Sequence, residues 1–479
     1  MVKIEQFVVE GLGHQSYIVT DEASGTAAIV DPRRDVDVYL EAASRAGVKI
    51  THALETHIHN DYISGSRELV AKTGATIVAS GADPLEYAFQ PVREGDRFPV
   101  GQFSFQALAT PGHTPAHVSY LLHETDQQQP TALFSGGSLL AGNAGRTDLL
   151  GEGMMLTLTH QQYQTLRRLL DTLPGQVHVY PTHGAGSFCM STSAASARST
   201  TIAHERLVNP AAVALNEEAF VQQQIAGYSS YPKYYAHMGP INRKGPPVIG
   251  TTPTPAPLSP LEVQRRLYNG IGLIDGRNRD AFACEHIPGS LNIELGSSFS
   301  TYIGWLLPFN VPLMLLIEDE RGRREAVVQL MRIGFELVDG YLDGGISAWK
   351  AAALPTNQFE YMDIEALHKR WSQHENFVVL DVRRPDEWRA GHIPGSLPIQ
   401  VGDLPTRMRE LPKDQTIVTI CQSGYRAEIA ASMLAASGRE VIVVRGGMED
   451  WQKLGLPSDT TMDDVPVVPF VSSQTHAHP

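Results

Sequence analysis

The chain predicts an α/β protein of three domains, on three observations: strands alternating with helices in its first part, a Pro-rich interruption, and an internal repeat beyond it. Up to about residue 182, short β-rich runs at 7–9, 16–19, 27–30, 76–79, 103–107, 132–134 and 177–180 alternate with helical stretches such as 66–72 and 161–170. An amphipathic stretch at 211–225 and a Tyr-, Pro- and Gly-rich run at 228–247 follow. The segment Gly250-Thr-Thr-Pro-Thr-Pro-Ala-Pro-Leu-Ser-Pro260 reads as a stiff linker and the clearest boundary.

Beyond the linker, Leu273-Ile-Asp-Gly-Arg277 and His286-Ile-Pro-Gly-Ser290 recur as Leu380-Asp-Val-Arg383 and His392-Ile-Pro-Gly-Ser396. Gly344-Gly-Ile-Ser-Ala-Trp349 recurs as Gly446-Gly-Met-Glu-Asp-Trp451. Offsets of 106 and 102 residues mean two copies of one domain, since solenoid repeats run to roughly 20–50 residues. The expected division is 1–249, a linker at 250–260, copies at 261–356 and 357–458, and a polar tail at 459–479.

At 479 residues, 42% hydrophobic and 19% charged, the chain reads as globular, and its 42 Gly and 31 Pro make it turn-rich. A net charge of −14 argues against a sequence-independent grip on nucleic acid. The N-terminus shows no secretory pattern, and no window approaches the ~18 apolar residues of a membrane span. Three widely separated cysteines, Cys189, Cys284 and Cys421, make no disulfide framework and read as thiols in a reducing, cytoplasmic setting.

A strand-like run at 416–420 leads into Cys421-Gln-Ser-Gly-Tyr-Arg426 and a helical stretch. A cysteine at such a turn faces free backbone N–H groups and the positive helix end, both favouring thiolate. Gly424 lets the loop curl around the sulfur and Arg426 adds positive charge, so Gln422, Ser423, Gly424 and Tyr425 form a candidate substrate-binding loop around catalytic Cys421 and Arg426. With Asp381-Val-Arg383, His392-Ile-Pro-Gly-Ser396 and Arg445-Gly-Gly447, this stretch resembles a rhodanese sulfurtransferase domain. The resemblance implies that Cys421 accepts sulfane sulfur as a persulfide and passes it to a thiol. In the earlier copy Glu318 aligns with Cys421, so that copy is expected to keep the scaffold without the chemistry.

Thr56-His-Ile-His-Asn-Asp-Tyr62 follows a strand-like run and brings two imidazoles and a carboxylate together, a set suited to Zn²⁺ or Fe²⁺. Thr110-Pro-Gly-His113 and Tyr180-Pro-Thr-His183 follow strands in the same way, so His57, His59, Asp61, His113 and His183 are the candidate metal ligands. The set resembles the metallo-β-lactamase superfamily, and the whole chain is similar to persulfide dioxygenase–rhodanese fusions. That likeness implies an αββα sandwich ahead of two rhodanese-like domains with parallel sheets. It also implies an Fe(II) centre, with Zn as the other metal and one ion rather than two, that oxidises a low-molecular-weight persulfide such as glutathione persulfide to sulfite.

Two positions depart from that pattern: Tyr62 stands where the family has histidine, and Gly137 where it has aspartate. Restoring the carboxylate by Gly137→Asp is expected to strengthen iron binding. The partners expected are small persulfides and thiols, with no nucleic acid and no membrane, and a homo-oligomer is compatible with the sequence. Two other readings stand beside the persulfide one: a metal-dependent hydrolase like glyoxalase II, and a degenerate scaffold in which only the last domain turns over.

Overall fold

Period-2 alternation in the first part of the chain builds two sheets that share one core. In the computed structural model, which describes residues 2–125, 127–190 and 197–460, the first sheet orders β1 (Val2–Val9), β2 (His14–Asp21), β3 (Thr26–Val30), β4 (Lys49–Leu54), β5 (Thr76–Ser80) and β6 (Gln90–Val92) in sequence. Its β1–β3 pairs are antiparallel and its β3–β6 pairs parallel. The second sheet contains β7 (Arg97–Val100), β8 (Phe103–Ala109), β9 (Val118–Glu124) and β10 (Ala132–Gly136). After a small hairpin, β11 (Leu139–Leu140) and β12 (Asn143–Ala144), the chain adds β13 (His178–Pro181) and β14 (Thr200–Thr201) to give the order β14-β13-β10-β9-β8-β7.

Tyr17, Val19, Ala28 and Val30 of the first sheet pack with Phe105, Tyr120, Leu122 and Phe134 of the second. The intervening Ile18, Ala27 and Ile29 turn to the other face, against the helix Asp37–Ala46. On the outer side of the second sheet, Leu121, Leu133 and Val179 pack against Leu166, Leu169 and Leu170 of the helix Glu152–Thr172. Helix, sheet, sheet, helix is the αββα sandwich expected.

The helical stretch read at 161–170 is only the second half of Glu152–Thr172, whose first turns carry exposed Met154 and Leu156 and so lack the periodic pattern. The stretch at 211–225 is two helices, Pro210–Val213 and Glu217–Gly227, because the Asn209 and Asn216 side chains each cap a new N-terminus. Within the Pro-rich segment lie a short strand, β15 (Pro257–Leu258), and the start of the helix Pro260–Tyr268, capped by Ser259. The tail expected at 459–479 lies, from residue 461 onward, outside the described residues. No helix among the described residues is long and apolar enough to cross a membrane.

The repeat is visible as shared topology. β16 (Gly272–Asp275), β17 (Leu291–Asn292), β18 (Leu313–Leu316) and β19 (Val338–Leu342) join β15 in the order β15-β19-β18-β16-β17. β20 (Glu360–Met362), β21 (Phe377–Asp381), β22 (Leu397–Pro398), β23 (Thr416–Ile420) and β24 (Val441–Val444) adopt the same order, β20-β24-β23-β21-β22, with every pair parallel. The repeated motifs explain why. In each copy a strand-end aspartate grips an arginine two residues on, Asp275 with Arg277 and Asp381 with Arg383. In each, a histidine stacks on an aromatic ring, His286 on Phe282 and His392 on Trp388. In each, a buried indole donates to a later carbonyl, Trp349 to Pro355 and Trp451 to Pro457.

Packing divides the described chain into two compact units: residues up to 257 with 295–341, and residues 258–294 with 342 onward.

Candidate metal centre and sulfur-carrying loop

Each candidate ligand of the first unit sits just past the C-terminal end of a strand. β4 leads into the loop with His57, His59 and Asp61, β8 into His113, and β13 into His183. All five are buried. The structure sorts them into overlapping groups whose ligand atoms lie within 4.8 Å of one another: His57, His113 and His183; His59, Asp61 and His183; and Asp31, Glu55 and His59. His183 therefore completes a three-histidine group with His57 and His113, and His59 falls in the other two.

Local hydrogen bonds fix the tautomers. The Thr56 hydroxyl donates its one proton to Asp31 Oδ2 at 2.7 Å, so its 2.8 Å contact with His57 Nδ1 requires the ring to donate. His113 Nδ1 lies 2.7 Å from the Arg146 carbonyl, which can only accept. Both rings thus turn an unprotonated Nε2 inward, and His57 Nε2 lies 3.4 Å from His183 Nε2. Burial pushes the His113 imidazole down to about 3 and holds His57 well below its ordinary value, so both are neutral, the form that ligates metal.

The second group is short of partners. Both Asp61 oxygens, His59 Nδ1 and His183 Nδ1 are buried without a hydrogen bond. Asp61 Oδ2 stands 3.3 Å from His183 Nδ1, and although burial opposes ionisation, His183 holds the Asp61 carboxyl down at about 2. Buried polar atoms left unpaired are costly, and a cation among them would satisfy all four. The donor set fits a metal ion.

Two departures in the sequence acquire a structural meaning. Tyr62 is buried, donates to the Asp31 carbonyl at 3.3 Å and packs at a tilt against the His14 ring, so its hydroxyl is engaged by the backbone. At Gly137 a Cβ would come within 2.6 Å of His113 Nε2 and closer still to Cδ2. The expectation that Gly137→Asp would simply restore a ligand is therefore corrected: the His113 ring occupies that space. Gly145, of the Gly-Arg-Thr-Asp stretch, passes close to the same ring, and the Arg146 carbonyl beside it orients His113. Arg146 is itself locked by Asp148 through two 2.7 Å contacts and lies over the Tyr231 ring.

Sequence reasoning did not single out His117, Asp31, Glu55 or Asn242. His117 stacks on His57, but its Nδ1 meets Thr110 Oγ1 and its Nε2 accepts the Gly137 N–H, so it braces the site without free valence. Asp31 and Glu55 flank His59 Nε2 at 3.2 and 3.1 Å. Burial opposes protonation, yet these two carboxylates raise His59. Asn242 donates to the His59 and Tyr62 carbonyls, both at 2.8 Å. Of these, His117 and Glu55 left a local signal, four residues after His113 and four before His59.

In the second unit, Cys421 is buried at the end of β23, and the Gly424 N–H points at its sulfur from 3.1 Å. Gly424 adopts φ +95°, which lets the loop turn back over the sulfur. Gly447 packs against the Cys421 and Gln422 carbonyls with no room for a side chain, and Met448 N–H caps the Cys421 carbonyl at 2.8 Å. Gln422 faces Arg383, Ser423 is exposed, and the Tyr425 hydroxyl reaches the Glu294 carbonyl. Arg426 is engaged: Nη1 and Nη2 meet the two Glu387 oxygens at 2.6 and 2.7 Å. Its charge is matched by that carboxylate rather than standing alone in the loop.

At the aligned turn of the earlier copy, Glu318 is exposed, and Arg323 donates to the Ile317 and Glu318 carbonyls at 3.1 and 2.6 Å. The arginine that aligns with Arg426 thus closes the loop on itself. Cys284 is exposed on a short helix and Cys189 is buried.

Comparison with known proteins matches both parts of the chain. The metallo-beta-lactamase superfamily model matches residues 9–183, and the rhodanese-like domain model matches 259–352 and 365–454. Hydroxyacylglutathione hydrolase of Rhodospirillum rubrum is 37% identical over 169 residues, 35% of this chain and 60% of that protein. The mitochondrial persulfide dioxygenase of Homo sapiens is 31% identical over 227 residues, 46% of this chain and 78% of that protein. The crystal structure of a metallo-beta-lactamase from Staphylococcus aureus subsp. aureus COL superposes with a TM-score of 0.64 at 31% identity, covering 71% of this chain and 98% of that one. The chain spans only about 60% of the length of the hydrolases it matches. With a buried histidine and aspartate cluster at the strand ends of an αββα sandwich, the chain belongs to the metallo-β-lactamase superfamily and carries two rhodanese-like domains after that fold.

Proposed function

We propose that the chain handles sulfane sulfur at two centres: a persulfide such as glutathione persulfide is oxidised to sulfite at the histidine cluster, and sulfane sulfur is moved through Cys421. The observation that carries the reading is the Cys421 loop, where a buried thiol at a strand end receives a backbone N–H at 3.1 Å. The Cys421 thiolate attacks the outer sulfur of a donor such as thiosulfate, the S–S bond breaks, and sulfite leaves with the electron pair. An acceptor thiolate then takes the sulfur from Cys421 as its own persulfide.

At the first centre one persulfide, one O₂ and one water give a thiol and sulfite. A bound Fe(II), held among His57, His113 and His183, with Asp61 on the far side of the His183 ring, would supply the redox chemistry with O₂. This chain's own residues keep the His57 and His113 Nε2 atoms unprotonated, through Thr56 and the Arg146 carbonyl, and exclude bulk water by burial. On this reading the partners are small persulfides and thiols in a reducing compartment, with neither nucleic acid nor membrane involved.

Similarity to hydroxyacylglutathione hydrolases supports a second reading, metal-dependent thioester hydrolysis. Against a two-metal version stand Tyr62, whose hydroxyl is spent on Asp31, and Gly137, which offers no carboxylate. Metal analysis of the purified chain, with oxygen uptake and sulfite release on glutathione persulfide, separates the two. Thioester hydrolysis without oxygen uptake would sink the dioxygenase reading.

A further inference from the structure

The loop that presents His59 and Asp61 has almost no secondary structure of its own, so its backbone polar groups must find partners elsewhere. They do so at three residues. Asn242 accepts the Ser64 N–H at 3.0 Å and donates to the His59 and Tyr62 carbonyls. The Tyr234 hydroxyl donates to the Asp61 carbonyl at 2.8 Å, and the Ile63 N–H donates to the Arg332 carbonyl at 2.7 Å. Arg332 closes the helix Glu320–Arg332 of the earlier rhodanese copy, whose loop has Glu318 in place of cysteine, in the segment 295–341 that packs as one unit with the metal domain.

Arg332 makes a second connection. Its guanidinium meets both Asp35 oxygens at 2.7 Å, and Asp35 follows the strand-end loop from which Asp31 supports Thr56 and His59. One residue thus ties together the loop carrying the ligands and the loop carrying their supporting carboxylate. Arg34 reciprocates, donating to the Met331 carbonyl at 3.2 Å and to Glu336 at 2.6 Å. Tyr234 is tied to the same copy. Its N–H meets the Gly304 carbonyl, and a Cβ on Gly304, in the helix Phe299–Leu306, would lie 3.0 Å from Tyr234 Cε1 and closer still to Cδ1.

We propose that segment 295–341 of the earlier rhodanese copy, whose loop has no cysteine, is a positioning element for the metal centre: through Arg332 and Gly304 it holds Ile63, Asp35 and Tyr234, and so the backbone that presents His59 and Asp61. The proposal rests on the metal reading above and accounts for a rhodanese copy whose own loop is closed by Arg323. Outer contacts of this kind act on ligand geometry, and their loss typically costs roughly 10–100-fold in metal affinity.

The test uses the full-length chain stripped of metal and titrated with Co(II) in competition with a chelator, reading affinity together with the visible bands that report ligand geometry. Tyr234→Phe removes one hydroxyl, Arg332→Lys keeps a charge but cannot span both Asp35 oxygens, and Gly304→Ala pushes the Tyr234 ring. Each variant is expected to bind Co(II) on the order of tenfold more weakly, with shifted bands. Co(II) affinity and bands equal to wild type in Tyr234→Phe and Arg332→Lys would overturn the proposal, whatever their melting temperatures. A wild-type chain that binds no Co(II) would instead overturn the metal reading and this proposal with it.

Discussion

The His113 ring lies where a side chain at Gly137 would have to go: a Cβ there would come within 2.6 Å of His113 Nε2. Gly137→Asp is therefore expected to lower bound metal rather than raise it, because the new side chain displaces a ligand before it can act as one. His113→Ala should likewise remove most of the metal, since it takes one of three clustered imidazoles. Metal per chain by elemental analysis checks both, and an Asp variant that holds more metal than wild type would show that His113 swings aside at little cost.

Cys421→Ser should abolish thiosulfate:cyanide sulfurtransfer, because a hydroxyl cannot carry sulfane sulfur as a persulfide. Cys284→Ser, at an exposed thiol, should leave the rate within about twofold. Wild-type transfer by the Cys421 variant would refute the assignment of the loop.

Glu387 and Arg426 form a two-pronged ion pair with 20% and 17% of their side chains exposed. Burial would raise the Glu387 carboxyl, but Arg426 outweighs it and holds the group down at about 2. A depressed carboxyl pKa contributes stability that is complete above the unfolded value near 4.5 and is lost as pH falls towards 2. Glu387→Gln should remove that dependence, on the order of 2 kcal/mol after allowing for residual solvent screening. Urea midpoints at about pH 3 and pH 6 measure it, and parallel pH profiles for variant and wild type would count against the pair. Arg426→Ala, which strands Glu387, should lower stability and transfer together.

Glu428 behaves in the opposite sense. It is buried on the helix Tyr425–Ala436 that follows the sulfur-carrying loop, and its Oε1 has no hydrogen-bond partner. Burial, then Asp280, raise its carboxyl to about 8, while Arg279 works the other way. The folded chain keeps this proton where the unfolded chain releases it, so stability falls as pH rises from about 4.5 to about 8. Glu428→Gln should match wild type near pH 4.5 and exceed it above about pH 8, by roughly 5 kcal/mol at most. Chemical denaturation at the two pH values decides, and a constant offset would mean that Glu428 does not titrate in this range.

Much of both sites was legible because it is local. His57, His59 and Asp61 lie within five residues after one strand, and Cys421, Gly424 and Arg426 within six after another, so a strand-end loop brings each set together whatever the rest of the fold does. The repeat was legible for the same reason: Asp381 grips Arg383 two residues on, and Trp451 reaches Pro457 six residues on. What was not legible depends on distance along the chain. That Arg426 is held by Glu387 is a contact across 39 residues, and that Ile63 leans on Arg332 is one across more than 260.

Patterning within the chain was enough to specify an α/β fold, a repeated domain with a parallel sheet, and which strand ends carry histidine or cysteine, because period-2 alternation and strand-end motifs act over a few residues, while the αββα sandwich and the rhodanese-like topology followed from the resemblance those motifs carry. Packing alone settled that His183 joins His57 and His113, that His113 fills the space beside Gly137, and that the Ile63 N–H finds its acceptor at Arg332. Those outcomes rest on where separate loops meet once two sheets and their helices have packed, and no periodicity in the chain encodes that meeting.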